Sequence, residues 1–67
     1  MLRRAALGDR MRELRTAAGL SQDQLADLIG MERRSIQRYE SGERDPRYTE
    51  LLLIADALSV PVAELVR

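Results

Sequence analysis

Residues 21 to 42 read SQDQLADLIGMERRSIQRYESG, and the fold of the chain turns on how that stretch is parsed. Ser21 with Gln24 three residues on is a capping-box signature: the hydroxyl accepts from a backbone N–H of the first turn while the Gln side chain reaches back. Leu25, Ala26, Leu28 and Ile29 then supply a buried face at helical spacing. Gly30 follows as a residue that ends a helix by adopting positive φ, and Met31 drops into the core as the chain turns. A second helical pattern runs from about Arg33 to Glu40, with Ile36 and Tyr39 as its inward stripe. Arg33, Arg34, Gln37 and Arg38 are left outside, and Ser41-Gly42 caps the end.

Working outward, Leu7, Met11, Leu14 and Ala18 recur at spacings of four, three and four, one apolar stripe of a helix from about residue 3 to 18 that Gly19 ends. Downstream, Glu43 to Arg47 form a charged loop whose Pro46 presets φ for the turn into a fourth helix. Tyr48, Leu51, Ile54, Ala55 and Leu58 repeat at helical spacing, which places both tyrosines on apolar stripes as core residues. Ser59-Val60-Pro61 breaks that helix, and Val62 to Val66 form a short fifth one. Strand alternation, internal repeats and low-complexity stretches are absent from the sequence. The reading is a single compact all-α domain over residues 1–67, a five-helix bundle with a central helix-turn-helix at 22–40 and its second helix at about 33–40.

A 67-residue chain buries only about 60% of its unfolded surface, which leaves a thin stability margin and no residues to spare for a catalytic cleft. Without Cys or His, the sequence has no disulfide, thiolate or imidazole chemistry and none of the usual zinc or copper ligands, so no metal or cofactor is expected. There is also no convergent carboxylate pair or phosphate-cradling glycine loop, and the chain is not read as an enzyme; no small-molecule substrate is evident. The longest unbroken apolar run, Leu51 to Ala55, is far shorter than the ~20 residues that span a bilayer. No membrane association is expected, and the opening Met-Leu-Arg-Arg-Ala-Ala lacks a secretory core.

The formal net charge is zero, which argues at first sight against nucleic acid, because affinity for phosphates comes mostly from Lys and Arg. The distribution argues the other way. Residues 1 to 15 hold five Arg against Asp9 and Glu13, a local +3, and residues 31 to 47 hold five Arg against four acids, a local +1. Residues 16 to 30 and 48 to 67 are each −2. Basic residues on two segments that share one face would steer DNA while the opposite face stays acidic. The outward set of the second helix fits this reading: an Arg fork matches guanine O6 and N7 in the major groove, and Gln matches adenine N6 and N7. Two core tyrosines and no other aromatics leave nothing to stack single-stranded bases.

The chain resembles the phage-repressor and Cro family of helix-turn-helix DNA-binding domains, the xenobiotic-response-element class. The likeness extends from Leu7 to Leu65, through LGDRMRELR, GLSQDQLA, GMERRSIQRYESG, the Asp45-Pro46 pair and LLLIADALSVPVAEL. It implies a bundle of the phage-repressor type and a sequence-specific regulator of transcription, with double-stranded DNA as partner and the prokaryotic cytoplasm, on the nucleoid when bound, as location. Carried over residue by residue, it gives Gln22 a phosphate contact at the start of the second helix, where the helix dipole favours an anion. Arg33, Arg34, Gln37 and Arg38 look like the family's base-contacting set. Glu32 stands where members usually carry Ser or Thr: it either starts the helix weakly while orienting Arg33, or reads a cytosine amino group. Ser35 faces a neighbouring helix or a phosphate. Arg15 and Glu40 look like the family's buried ion pair, and Arg10, Arg12, Arg44 and Arg47 are candidates for the phosphate rim.

One recognition helix covers only a few base pairs, so members of this class pair half-sites one helical turn apart, ~34 Å. The expected dimer patch is Leu53, Val60, Val62 and Val66, around the end of the fourth helix and the fifth. The leading reading is a repressor that binds a short palindromic operator as a homodimer; beside RNA polymerase the same fold can activate. An antitoxin or a restriction-modification controller fits the same class, although the antitoxin needs a toxin-binding extension that these residues do not supply. A protein-interaction adaptor that has lost DNA binding is the reading from another class.

Overall fold

The computed structural model describes the backbone of residues 4–66, with side chains from Ala6 onward. Five helices follow in order: α1 (Arg4–Ala17), α2 (Gln22–Ile29), α3 (Arg33–Ser41), α4 (Tyr48–Ala57) and α5 (Val62–Val66). The expected start of α1 at residue 3 lies outside the described residues. Among the described residues there is no strand, and no helix is long and apolar enough to cross a membrane.

The local signals explain most of the boundaries. At the head of α2, Ser21 Oγ accepts from the Gln24 N–H at 3.0 Å and Gln24 Oε1 accepts from the Ser21 N–H at 2.8 Å, a complete capping box. Gly30 ends α2 at φ 68°, and the next amide, Met31 N–H, donates back to Ala26 O at 2.9 Å. A side chain at that φ would be strained, which makes the glycine a condition of the turn.

The core is contributed by every helix: Met11 from α1, Leu25 from α2, Ile36 and Tyr39 from α3, Ile54 from α4 and Leu65 from α5 are all buried. α3 lies against both α1 and α2, while α5 closes the bundle over α1 and α4. The approach of α1 to α3 is close enough to require a glycine. A Cβ on Gly8 would overlap the carbonyl oxygens of Tyr39 and Glu40, so only hydrogen fits where α1 crosses the end of α3.

Three of the expected core positions are corrected by the fold. Tyr48 is 67% exposed, because it is the first residue of α4 and Pro46 is the buried residue at that junction. Leu28 is 61% exposed: α2 packs chiefly against α3 and α4, and the stripe they cover takes Leu25, Ala26 and part of Ile29. Leu28 instead lines a shallow surface depression with Leu20, Gln24 and Asp27. Ala18 falls just past the end of α1 and is exposed.

Candidate nucleic-acid interface

Because Ile36, Tyr39 and Glu40 are buried, the opposite side of α3 must face solvent, and there Arg33, Arg34 and Gln37 are exposed with Arg38 half-buried beside them. The helix is nine residues long, preceded by Glu32 in an extended conformation (φ −86°, ψ 148°) whose side chain makes no capping hydrogen bond. Glu has the length to reach solvent but not the short, rigid geometry of a Ser or Asp cap. Ser35 is half-buried, and its N–H donates to Glu32 O at 3.0 Å.

Two side chains, Glu40 and Tyr39, fix α3 on the bundle. Glu40, 1% exposed, receives Arg15 along two edges, Nε to Oε2 at 2.6 Å and Nη2 to Oε1 at 3.0 Å. Arg15 Nη1 also donates to Leu20 O at 2.8 Å, which ties the α1–α2 turn to the same pair. The carboxylate gathers two further donors: Gln22 Nε2 at 3.1 Å and, more loosely, Arg12 Nε at 3.6 Å. Every buried polar side-chain atom among the described residues has a partner, so this ionic cluster costs no stranded group. On the other side of α3, the Tyr39 hydroxyl donates to Glu50 Oε1 at 2.9 Å, the same oxygen that accepts the Arg47 N–H at 2.7 Å. Arg47 has no acceptor to return, so α4 begins on half a capping box that is also the anchor of α3.

Those bonds perturb two groups. Glu50 is held below its ordinary value of 4.5, first by the Arg47 backbone N–H and further by the Tyr39 hydroxyl, with partial burial opposing. Tyr39 is pushed above 10.0 by burial and by donation to Glu50.

The geometry sorts the predicted site residues. Arg34 and Gln37 have no side-chain hydrogen bond or ion pair among the described residues, so both are free to meet an acceptor. Arg33 Nε lies 3.4 Å from Asp23 Oδ1, and Arg38 Nε lies 3.1 Å from Glu43 Oε2. Gln22 stands at the first turn of α2 with its amide nitrogen engaged by Glu40, which leaves one N–H and the side-chain oxygen. Arg44 and Arg47 are exposed on the loop that follows α3. Arg10, expected on the phosphate rim, is engaged by carboxylates and a carbonyl of its own bundle. Its guanidinium donates to Glu64 O at 2.8 Å and Glu64 Oε1 at 2.9 Å, with Glu13 Oε2 at 3.3 Å, so it fastens α5 to α1. Of the apolar patch, Leu53 and Val66 are exposed, whereas Val60 and Val62 are half-buried against the core. Sequence reasoning passed over Gly8, Asp23 and Glu43, whose partners lie in other helices or across a turn.

The helix-turn-helix family model HTH_3 matches residues 11–65. The chain belongs to this helix-turn-helix family. Within it, the cryptic phage CTXphi transcriptional repressor RstR of Vibrio cholerae is 42% identical over 57 residues, covering 85% of this chain and 51% of the repressor. Control protein C.SmaI of Serratia marcescens is 36% identical over 59 residues, 88% of this chain and 70% of that protein. The chain thus spans about half the length of the phage repressor and more of the control protein. Among solved structures, the restriction-modification controller protein C.AhdI from Aeromonas hydrophila superposes with a TM-score of 0.90 at 42% identity, covering 92% of this chain and 94% of that one. This helix-turn-helix protein therefore has the compact all-α architecture of that controller.

Proposed function

We propose that this protein is a DNA-binding regulator of transcription, not an enzyme, and that it represses by occupying a short palindromic operator as a homodimer. The observation that carries the reading is α3 itself: Arg34 and Gln37 stand exposed and without partners among the described residues, flanked by Arg33 and Arg38, on a helix anchored through Glu40 and Tyr39. A rigid helix presenting guanidinium and carboxamide groups suits major-groove readout, and preorganisation reduces what binding must spend on ordering. Glu32, at the head of the same helix, adds an acceptor for a cytosine amino group.

Gln22, Arg12, Arg44, Arg47 and the hydroxyl of Ser35, whose backbone N–H is taken by Glu32 O, supply phosphate contacts around the groove, and Arg10 does not, because it is spent on Glu64. Two copies meet through Leu53 and Val66, with Val60 and Val62 beneath them, so that two α3 helices address successive half-sites. Likeness over nearly the whole of C.AhdI favours a restriction-modification controller as the setting, and in that setting a dimer beside its promoter also meets RNA polymerase.

Selection of bound duplexes from a random pool, repeated with Arg34→Ala, tests the reading. The expected outcome is a palindrome containing guanine whose preference relaxes in the variant by ~1 to 3 kcal/mol. No enrichment by the wild-type protein at moderate salt would overturn it in favour of an adaptor. Sedimentation of Leu53→Glu, monomeric where the wild type is dimeric, tests the patch separately.

A further inference from the structure

Two of the four basic or amide side chains on the outer face of α3 are held by carboxylates, and in both cases by the same edge. Asp23, in the first turn of α2, takes the Nε of Arg33 at 3.4 Å. Glu43, just past Gly42 at the end of α3, takes the Nε of Arg38 at 3.1 Å. A guanidinium has five N–H donors in a fixed fork, and an ion pair on the Nε side leaves the Nη1/Nη2 pair for another acceptor.

The two ion pairs themselves add little to folding. The Asp23 and Arg33 side chains are 70% and 58% exposed, and exposed pairs of this kind contribute little to folding. A carboxylate on a face that meets phosphates also weakens DNA binding on every sequence. Both acids nevertheless sit beside an arginine of the outer face, one at each end of α3.

We infer that Asp23 and Glu43 are specificity-positioning residues: they bind the Nε edges of Arg33 and Arg38, directing the Nη forks to guanine O6 and N7 and keeping them off phosphates. The inference rests on the DNA-reading function proposed above. An unheld arginine satisfies a phosphate from many rotamers, whereas the base edge accepts one approach, so restricting the side chain favours base over backbone. The two carboxylates therefore lower affinity for DNA in general and raise discrimination between sequences.

The test uses the purified chain with a selected duplex, the same duplex with its guanines replaced by adenine, and a random-sequence duplex, over a range of salt. Asp23→Asn and Glu43→Gln should each bind the random duplex more tightly, by about two- to fivefold, and discriminate guanine about fivefold less. The loss from Asp23→Asn should vanish in an Arg33→Ala background, and that from Glu43→Gln in Arg38→Ala, because each acid acts through its arginine. Thermal melts of the variants separate folding from readout. Discrimination that is unchanged in both variants, or a loss of equal size on every duplex, overturns the positioning role alone. A wild-type chain that prefers no duplex overturns it together with the function on which it rests.

Discussion

Arg15 and Glu40 join the first helix to the end of the third through two hydrogen bonds, 2.6 and 3.0 Å long, made by a carboxylate with no exposed side-chain surface. Twenty-five residues apart in sequence, they determine the seat of α3. Removing Glu40 leaves the largely buried Arg15 guanidinium without its counter-ion, and removing Arg15 leaves the buried Glu40 carboxylate only Gln22 and the looser Arg12. Arg15→Ala or Glu40→Ala should each cost about 3 to 5 kcal/mol in urea unfolding. An apolar pair of similar volume, Arg15→Met with Glu40→Leu, should recover most of that loss. A double variant as unstable as the singles would contradict this account.

Gly8 makes a separate demand on the same junction. Gly8→Ala drives a methyl group into the carbonyl oxygens of Tyr39 and Glu40, which are backbone and cannot swing aside. Unfolding free energy should fall by about 1 to 3 kcal/mol, as for other overpacked sites. Because the displaced element is α3, affinity for a selected duplex should fall further than global stability alone accounts for. Chemical denaturation and a binding titration on the folded fraction would separate the two effects.

Glu50, held by the Arg47 N–H and the Tyr39 hydroxyl, and Tyr39, buried and bonded to Glu50, give the fold an acid and an alkaline arm. Glu50 is depressed in the folded state, so its contribution is complete above 4.5 and lost as pH falls through its lowered value. Tyr39 is raised, so its contribution is intact below 10.0 and lost as pH rises through the folded value. Tyr39→Phe should cost about 0.5 to 1.5 kcal/mol at neutral pH and flatten the alkaline arm of a stability–pH curve. Glu50→Gln should flatten the acid arm. Melting temperatures across pH for the three proteins would show whether each arm belongs to its residue.

Ser59 holds φ 58° after α4, the single non-glycine residue with positive φ among those described. A left-handed conformation costs a residue with a Cβ about 1 to 2 kcal/mol, part of which glycine returns as unfolded-state entropy. Ser59→Gly should therefore stabilise the chain by about 0.5 to 1 kcal/mol without a change in denaturant m-value. Destabilisation would mean that the serine hydroxyl supports the turn.

Sequence alone was sufficient for whatever depends on residues three or four apart. The Leu7, Met11 and Leu14 stripe, the Ser21–Gln24 box, the Gly30 turn, the inward pair Ile36 and Tyr39 and the break before Val62 are local, and all five helices followed from such signals. Folding them together decided what spacing does not encode. Tyr48 and Leu28 lie on apolar stripes yet face solvent, because burial requires a neighbouring element and none covers them. Arg10 has the charge of a phosphate ligand but meets Glu64, 54 residues away, since α5 folds back over α1. Asp23 finds Arg33, and Gly8 finds Glu40, only once the helices have docked. Local hydrogen bonding and hydrophobic period specify elements; the identity of each partner across the bundle is settled by packing, where charge pairs and excluded volume act at a few ångströms irrespective of distance along the chain.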